Sequence, residues 1–259
     1  AVMAAADRGL GVAGLKSYTL VDGRLAFVVA LFDLRSGELA ATIAADRLGQ
    51  VRTGAASGVA AKQLARAGAR SVGLIGAGWQ AESQLAAIRA AVPTVDRALV
   101  WSRTAERAAS FAERHGAVPA DAQAAAACDI VVTVTTAKTP VLEGAWLRDG
   151  ALVCAVGAND PRARELGTGV VERASFVCCD SRDDARIESG DLIAPIAEGR
   201  LRWEDVHALH DVAAGAVAGR RSDDDVILFK SNGIAPWDLA VAHEAVRLAR
   251  ERGVGTELA

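Results

Sequence analysis

A glycine-rich segment, Gly76–Ala81, has a spacing suited to binding phosphate groups. It follows the pattern G-x-G-x-x-A, with glycine at 76 and 78 and alanine at 81. The first glycine permits a tight turn, the second lets the backbone approach a pyrophosphate, and the small last residue lets a helix pack closely on a strand. The phosphates would lie at a helix N-terminus, where free N–H groups attract anions. We expect cofactor contacts from Gly76, Ala77, Gly78, Trp79 and Gln80.

The predicted elements around this segment support the same interpretation. An apolar strand, Val72–Ile75, precedes it, a helix is predicted over Gln80–Ala91, and a second strand follows at Ala98–Trp101. This is the order that a dinucleotide site requires. A glycine-rich turn of some other α/β fold is the alternative, but the sequence favours a nicotinamide dinucleotide.

The residues after the second strand, Ser102, Arg103 and Thr104, indicate which dinucleotide is bound. An acidic residue at this place normally binds the ribose 2′-hydroxyl, whereas two hydroxyls and a guanidinium suit a 2′-phosphate. The sequence therefore predicts that NADP(H) is preferred and that NAD(H) is possible. In the alternative interpretation, Arg103 is an exposed turn residue and Thr104 caps the next helix.

Alternating strands and helices over the middle of the chain predict a Rossmann-type, doubly wound parallel sheet. The further predicted elements of this part are helices Ala105–His115 and Ala120–Ala127 and strands Asp129–Thr135, Ala151–Val156 and Phe176–Cys179. After Asp183 the pattern indicates mostly helix, including Glu204–Ala214 and a final helix over Trp237–Arg252, with a strand at Val226–Leu228.

The first part of the chain predicts a smaller α+β domain. Strands Gly14–Val21, Leu25–Asp33 and Glu38–Ala45 form an antiparallel meander, with turns at Asp22-Gly23 and Ser36-Gly37. A helix over Thr53–Ala67 connects it to the parallel sheet. We predict a domain of residues 1–55 with the C-terminal helix 236–259, and a dinucleotide-binding domain of residues 56–235.

Composition excludes several classes of protein. The chain has 259 residues, 51% of them hydrophobic, and a net charge of −3 without blocks of one sign, which disfavours nucleic acid as a partner. Its apolar runs are too short for a membrane helix, and its start lacks the order of a signal peptide. We therefore expect a soluble, cytoplasmic protein with buried, reduced cysteines.

No metal site is predicted. His207, His210 and Asp211 resemble a metal site, since the two histidines have the i, i+3 spacing of one helical face. A metal site needs a third ligand and supporting residues around it, and no H-E-x-x-H motif is present, so helix-surface histidines are the preferred interpretation.

Several segments, in this order along almost the whole chain, carry a resemblance to one family. They are Gly14–Thr19, Val51–Ser57, Gly76–Ala81, Ala155–Ala158, Arg164–Leu166 and Phe229–Gly233. In these segments the sequence resembles the ornithine cyclodeaminase and mu-crystallin family. That family comprises cyclodeaminases, alanine dehydrogenases, reductases of ketimines or Δ1-pyrroline-2-carboxylate, and crystallins that bind NADPH.

The resemblance implies that Lys16 and Arg52 contact the substrate. Arg52 would bind an α-carboxylate bidentately through its planar guanidinium, and a desolvated Lys16 would transfer a proton at the reacting nitrogen. It also implies cofactor contacts from Thr135, Thr136, Val156 and Ser231, and a homodimer formed through the small sheet.

One departure from the family bears on the reaction. Cyclodeaminases place a participating aspartate where this chain has Asn159, and an amide cannot exchange a proton as a carboxylate does. The adjacent Asp160 is a candidate catalytic residue, or simply starts a turn with Pro161. We therefore expect NAD(P)H-dependent reduction of an α-imino acid. The alternatives are ornithine cyclodeamination and a crystallin-like NADPH binder without turnover.

Overall fold

A computed structural model describes residues 1–22 and 24–257, and the chain divides into two compact units. One unit contains Ala1–Arg52 and the chain from Gly233 onward, and the other is Thr53–Asn232. The strands are β1 (Val2–Asp7), β2 (Val12–Val21), β3 (Arg24–Asp33), β4 (Leu39–Ala44), β5 (Ser71–Ile75), β6 (Arg97–Trp101), β7 (Val118–Pro119), β8 (Ile130–Thr133), β9 (Leu152–Ala155), β10 (Ala174–Cys179), β11 (Val206–Ala208) and β12 (Val226–Lys230). The helices are α1 (Asp46–Leu64), α2 (Trp79–Ala91), α3 (Ala105–His115), α4 (Ala122–Ala126), α5 (Thr168–Arg173), α6 (Arg182–Glu188), α7 (Gly190–Ala197), α8 (Leu209–Ala213) and α9 (Ala235–Arg252).

The first unit is built on an antiparallel sheet in the order β1-β2-β3-β4. The predicted meander is confirmed in β2, β3 and β4, while β1 was not predicted, because its alanines carry little β-propensity. Gly23, in one predicted turn, lies outside the described residues. Helix α9 packs on the sheet through Leu239 and Ala242, against Val29 and Leu31. The sheet therefore has one covered face.

The strand register puts an unexpected residue on that covered face. Lys16 of β2 pairs with Val29 of β3, and Gly14 pairs with Leu31. Because side chains alternate along a strand, Lys16 points to the same side as Val29 and Leu31. The Lys16 side chain is accordingly only 3% exposed.

The second unit contains an eight-stranded sheet in the order β11-β10-β12-β9-β8-β5-β6-β7, in which every neighbouring pair is parallel. From β5 the chain first adds β6 and β7 on one side and then β8 and β9 on the other. The predicted doubly wound α/β class is confirmed. Ligands of such sheets bind beyond the carboxyl ends of the strands where this order reverses, here at β5 and β8.

Two predicted helices differ from the structure. Helix α1 begins at Asp46 rather than Thr53, because Leu48 is buried in the core of the first unit and packing there outweighs the weak helix propensity of Gly49. Arg52 consequently lies within a helix. The helix predicted over Glu204–Ala214 is wrong, since this segment contains a 3₁₀ turn, β11 and α8.

The same correction separates the histidines. His207 lies in β11 and stacks on the Phe176 ring at 4.8 Å, whereas His210 lies in α8, so they do not share a helical face. A three-residue strand is too short to show a periodicity distinct from that of a helix. In the described part of the chain, no helix combines the length and apolarity needed to cross a membrane.

Candidate active site

The glycine-rich turn connects β5 to α2 and has the backbone that its sequence requires. Gly76 has φ = +120°, and a Cβ there would lie 2.4 Å from the carbonyl oxygen of Val134. Only glycine fits this position without strain. Gly78 precedes the first residue of α2, and Ala81 is fully buried in the second unit. The three residues of the pattern therefore have the surroundings that the sequence predicted.

The space beside the turn is suited to a dinucleotide. A Cβ on Gly78 would meet no described heavy atom within 4 Å. A cavity of about 420 Å³ is lined by Ala77, Gly78, Trp79, Glu106, Arg107, Ser110 and Arg114. The buried Oε1 of Gln80 has no hydrogen-bond partner among the described residues. Open backbone, a cavity and an unpaired amide at a helix N-terminus fit a phosphate-bearing cofactor.

The predicted 2′-phosphate residues lie beyond the carboxyl end of β6. Arg103 and Thr104 are exposed, and the Ser102 hydroxyl accepts a hydrogen bond from the Thr104 N–H at 3.3 Å. Thr104 precedes α3, but its side chain makes no capping hydrogen bond within the described structure. The alternative that Thr104 is there to cap the helix therefore gains no support.

Three charged side chains of the first unit form a buried cluster, which we call the lysine–arginine cluster: Lys16, Arg52 and Asp238. Asp238 Oδ2 accepts a hydrogen bond from Lys16 Nζ at 2.7 Å, and its Oδ1 accepts one from Arg52 Nε at 3.1 Å. The side chains of Lys16, Arg52 and Asp238 are 3%, 12% and 1% exposed. Two cations share one anion, so the fully ionised cluster carries a net positive charge.

The pKa of Lys16 is lowered from its usual value. Burial away from water has the largest effect, the Arg52 charge adds to it, and Asp238 opposes both. A lysine in these surroundings gives up its proton more readily than one at the surface, which suits a proton donor. The structure thus brings together Lys16 and Arg52, the two residues that the resemblance assigned to the substrate.

Asp238 was not predicted from the sequence as a site residue. It lies in the first turn of α9, where the helix dipole favours a carboxylate, and Leu239 and Ala242 beside it are buried. A buried acid among apolar helix positions is a sign of a paired charge. An acidic residue among the apolar positions of the predicted final helix was therefore the sequence signal that could have indicated Asp238.

A second group of buried charges, which we call the glutamate cluster, lies at the carboxyl edge of the parallel sheet: Glu165, Asp191 and Lys230, each fully buried. Glu165 accepts hydrogen bonds from the Thr133 hydroxyl at 2.9 Å, from the N–H and hydroxyl of Thr135 at 2.6 and 2.7 Å, and from the N–H of Gly157 at 2.8 Å. Glu165 therefore ties the segment after β8 to the segment after β9.

The other two charges of the glutamate cluster complete this tie. Lys230 Nζ, at the end of β12, lies 3.4 Å from Asp191 Oδ2 and donates to the carbonyl oxygen of Ala158. Asp191 Oδ1 accepts the N–H groups of Glu165 and Leu166 at 2.8 and 3.0 Å. Burial raises the pKa of Glu165, while Thr135 and Lys230 oppose this rise. None of these three charged residues was predicted from the sequence to have a role.

The remaining candidate cofactor residues stay predictions, and the structure shows their surroundings. The Thr135 hydroxyl donates to Glu165 and accepts the Ala137 N–H at 3.0 Å, so it already has internal partners. Thr136 is exposed, and Val156 is half-buried. Ser231 donates its hydroxyl proton to Asp180 Oδ2 at 3.1 Å. All four follow the carboxyl ends of β8, β9 and β12.

Asp160 lies in a loop and is paired locally. Arg162 donates its Nε and Nη2 hydrogens to the two carboxylate oxygens at 3.0 and 2.8 Å. These contacts hold the pKa of Asp160 well below its usual range. A carboxylate that stays ionised in this way is poorly suited to donating protons. The catalytic role of Asp160 stays a prediction that the local geometry does not favour, and Asn159 beside it is exposed.

The fold and these sites define an α/β protein with a dinucleotide-type turn in one unit and a buried lysine–arginine pair in the other. The model of the ornithine cyclodeaminase/mu-crystallin family matches residues 1–252, and the chain belongs to this family. A Δ1-pyrroline-2-carboxylate reductase of Bacillus cereus is 37% identical, with 99% of this chain and 83% of the relative covered.

Two solved structures are similar over nearly the whole chain. One is Thermococcus litoralis Δ1-pyrroline-2-carboxylate reductase in complex with NADH and L-proline, with a TM-score of 0.90, 33% identity and coverage of 96% and 82%. The other is an archaeal alanine dehydrogenase dimer with bound NAD, with a TM-score of 0.90, 30% identity and coverage of 96% and 81%. The predicted family is confirmed, and these names agree with the predicted class of enzyme, an oxidoreductase of imino and amino acids.

Proposed function

We propose that this protein reduces an α-imino acid, of the ketimine or Δ1-pyrroline-2-carboxylate type, to the amino acid with NAD(P)H. The lysine–arginine cluster is the observation that carries this proposal. It offers a guanidinium for a carboxylate and a proton donor for a nitrogen. The similar reductase from Thermococcus litoralis was solved with NADH and L-proline, which is the product expected from such a reduction of a cyclic imine.

In this proposal the second unit is the dinucleotide-binding domain. The backbone of Gly76, Ala77 and Gly78 would hold the pyrophosphate, and Trp79 and Gln80 at the start of α2 would also contribute. Thr135, Thr136, Val156 and Ser231 would contribute cofactor contacts from the carboxyl edge of the sheet. The bound nicotinamide would supply a hydride to the imine carbon.

The first unit is the substrate-binding domain in this proposal. Arg52 binds the substrate carboxylate, which lowers the surplus positive charge of the lysine–arginine cluster. Lys16 gives a proton to the imine nitrogen as the C=N π bond is replaced by a C–H and an N–H bond. The neutral lysine then takes a proton from water. Asp160 has no step in this scheme.

Incubation of the purified protein with NADPH and Δ1-pyrroline-2-carboxylate tests the reaction. We expect loss of the nicotinamide absorbance and formation of proline. A parallel incubation with NAD and ornithine tests cyclodeamination, which would release ammonia without net change in absorbance. A protein that binds NADPH but turns over neither substrate nor a panel of other imino acids would contradict the proposal.

We further propose that NADP(H) is preferred over NAD(H). Support comes from the exposed Arg103 beyond β6, between the hydroxyl side chains of Ser102 and Thr104. Hydrogen bonds to charged groups contribute about 1.5–3 kcal/mol. Arg103→Ala should therefore raise the Kd of NADPH about 10- to 100-fold and leave that of NADH unchanged. An equal change for both cofactors would contradict this assignment.

A homodimer through the small sheet is the proposed assembly. On the face of the sheet opposite Lys16 lie Leu15, Ser17, Val28 and Ala30, and Val28 is 44% exposed. This face is uncharged at these positions, which suits a self-complementary interface. Val28→Lys should give a monomer by light scattering, whereas Val118→Lys, on an exposed valine of β7, should not. A monomeric wild-type protein would contradict the proposal.

A further inference from the structure

Asp238 is the buried residue to which both proposed substrate residues bind. Lys16 comes from β2, Arg52 from α1 and Asp238 from the first turn of α9, and Lys16 and Asp238 are 222 positions apart in the chain. Each carboxylate oxygen accepts from a different cation, at 2.7 and 3.1 Å. A bridge of this kind fixes the separation of two long side chains that would otherwise move independently.

A fixed separation matters because one small substrate must meet both cations. The carboxylate of an α-imino acid is attached to the imine carbon, so its distance from the nitrogen is set by covalent geometry. Arg52 and Lys16 must therefore match that distance before the substrate binds. Buried ion pairs with complete hydrogen bonding are well suited to this kind of preorganisation.

We propose that Asp238 is a positioning residue for the reduction, which holds the Lys16 ammonium and the Arg52 guanidinium in register with the nitrogen and carboxylate of the imino acid. This inference rests on the proposed function. Asp238 contacts neither the reacting atoms nor the hydride in this scheme. It acts through Lys16 and Arg52.

The same carboxylate also affects the charge of Lys16. The charged groups that act on Lys16 are Arg52 of α1 and Asp238 of α9, while β1 and β3 place Met3 and Val29 opposite it. Arg52 and burial lower the pKa of Lys16, and Asp238 raises it. Without the aspartate, the lysine would lose its proton at lower pH. Because the proton donor would then be deprotonated at lower pH, the basic limb of the kcat/KM–pH profile would move to lower pH.

The test compares Asp238→Asn, Asp238→Glu and wild type over a pH series, with NADPH and Δ1-pyrroline-2-carboxylate. For Asp238→Asn we expect kcat/KM to fall at least about tenfold and its basic limb to move to lower pH, with the Kd of NADPH unchanged. For Asp238→Glu we expect the limb near its wild-type position with a smaller loss of kcat/KM, because the charge remains while the geometry changes.

Asp129→Asn is the matched control. Asp129 is also buried and forms ion pairs with two arginines, Arg66 and Arg148, but it lies in the second unit and has no proposed role in the reaction. It should change stability without moving the basic limb. A purely structural Asp238 would behave in the same way.

The outcomes separate the two proposals. If wild type reduces no imino acid, the proposed function fails. If wild type is active and the limb of Asp238→Asn stays in place, the inference about Asp238 is overturned. If Asp238→Asn does not fold, the test rests on Asp238→Glu. A kcat/KM equal to that of wild type in Asp238→Glu would contradict a positioning role, and a lower value would support it.

Discussion

Two groups of three largely buried charges, both within the described residues, differ in sign and in completeness. The lysine–arginine cluster of the first unit has two cations and one anion, and Arg52 keeps 12% of its side-chain surface exposed. The glutamate cluster of the second unit has two anions and one cation, and all three side chains are fully buried. One group has a surplus positive charge and an accessible edge, and the other is closed.

This difference suggests that buried charged residues have a structural role in one unit and a substrate-binding role in the other. Glu165 binds backbone N–H groups and hydroxyls of neighbouring loops, so its hydrogen bonds are used within the protein. The lysine–arginine cluster gains from one more anion, because two cations share one carboxylate. We therefore interpret the glutamate cluster as a tie between loops and the lysine–arginine cluster as a substrate site.

The largest expected effect is on catalysis, from Lys16→Met. Removal of the proposed proton donor should lower kcat/KM about 10²- to 10⁴-fold. The Kd of NADPH, measured by fluorescence titration, should stay within twofold of wild type, a threshold of about 0.4 kcal/mol. Lys62→Met, on the exposed surface of α1, is the control and should be fully active. Loss of cofactor binding in Lys16→Met would contradict the assigned role.

The largest expected effect on stability comes from Lys230→Met. It leaves Asp191 and Glu165 buried without their cation, and breaking a buried pair typically costs about 3–5 kcal/mol. Urea unfolding should show this loss as a lower midpoint. Adding Asp191→Asn should recover part of it, because the uncompensated anion is removed. A Lys230→Met protein as stable as wild type would show that the glutamate cluster is not a structural tie.

The two clusters also show how far the sequence predicts the molecule. The glycine turn and the strand–helix alternation are local signals, and the parallel sheet was predicted from them. Lys16 and Arg52 were found only through the family resemblance, since a lone lysine in a strand gives no sign of burial. Strand β1, rich in alanine, and strand β11, of three residues, lack a local signal of sufficient strength.

The partners within each cluster could not be predicted because they are distant in the chain. Lys230 lies near the segment after β9 because β12 and β9 are neighbours in the sheet although their sequences are far apart. Asp191 joins them from α7, where it accepts the N–H of Glu165. Asp238 reaches Lys16 because α9 returns to the sheet of the first unit. Such pairings depend on topology, and a single sequence does not show which buried acid will meet which buried base.

A smaller effect on substrate binding is expected from Arg52→Lys. Lysine keeps the charge but lacks the planar guanidinium that binds a carboxylate through two hydrogen bonds. The KM for the imino acid should therefore rise about 10-fold, equivalent to about 1.4 kcal/mol. The change in kcat should be smaller. Steady-state kinetics measures both. Arg35→Lys, in an exposed turn, is the control. A fall in kcat at unchanged KM would instead place Arg52 in the chemical step.

The smallest effect is expected from Asp160→Asn. Asp160 is paired with Arg162 at the surface and its pKa lies well below the usual range, so it stays ionised where the enzyme is expected to act. Exposed ion pairs contribute little, and no measurable change in kcat/KM or unfolding midpoint is expected. The pH series used for Asp238 measures kcat/KM, and urea unfolding measures the midpoint. A fall in kcat/KM of about tenfold or more would instead restore Asp160 as a catalytic candidate.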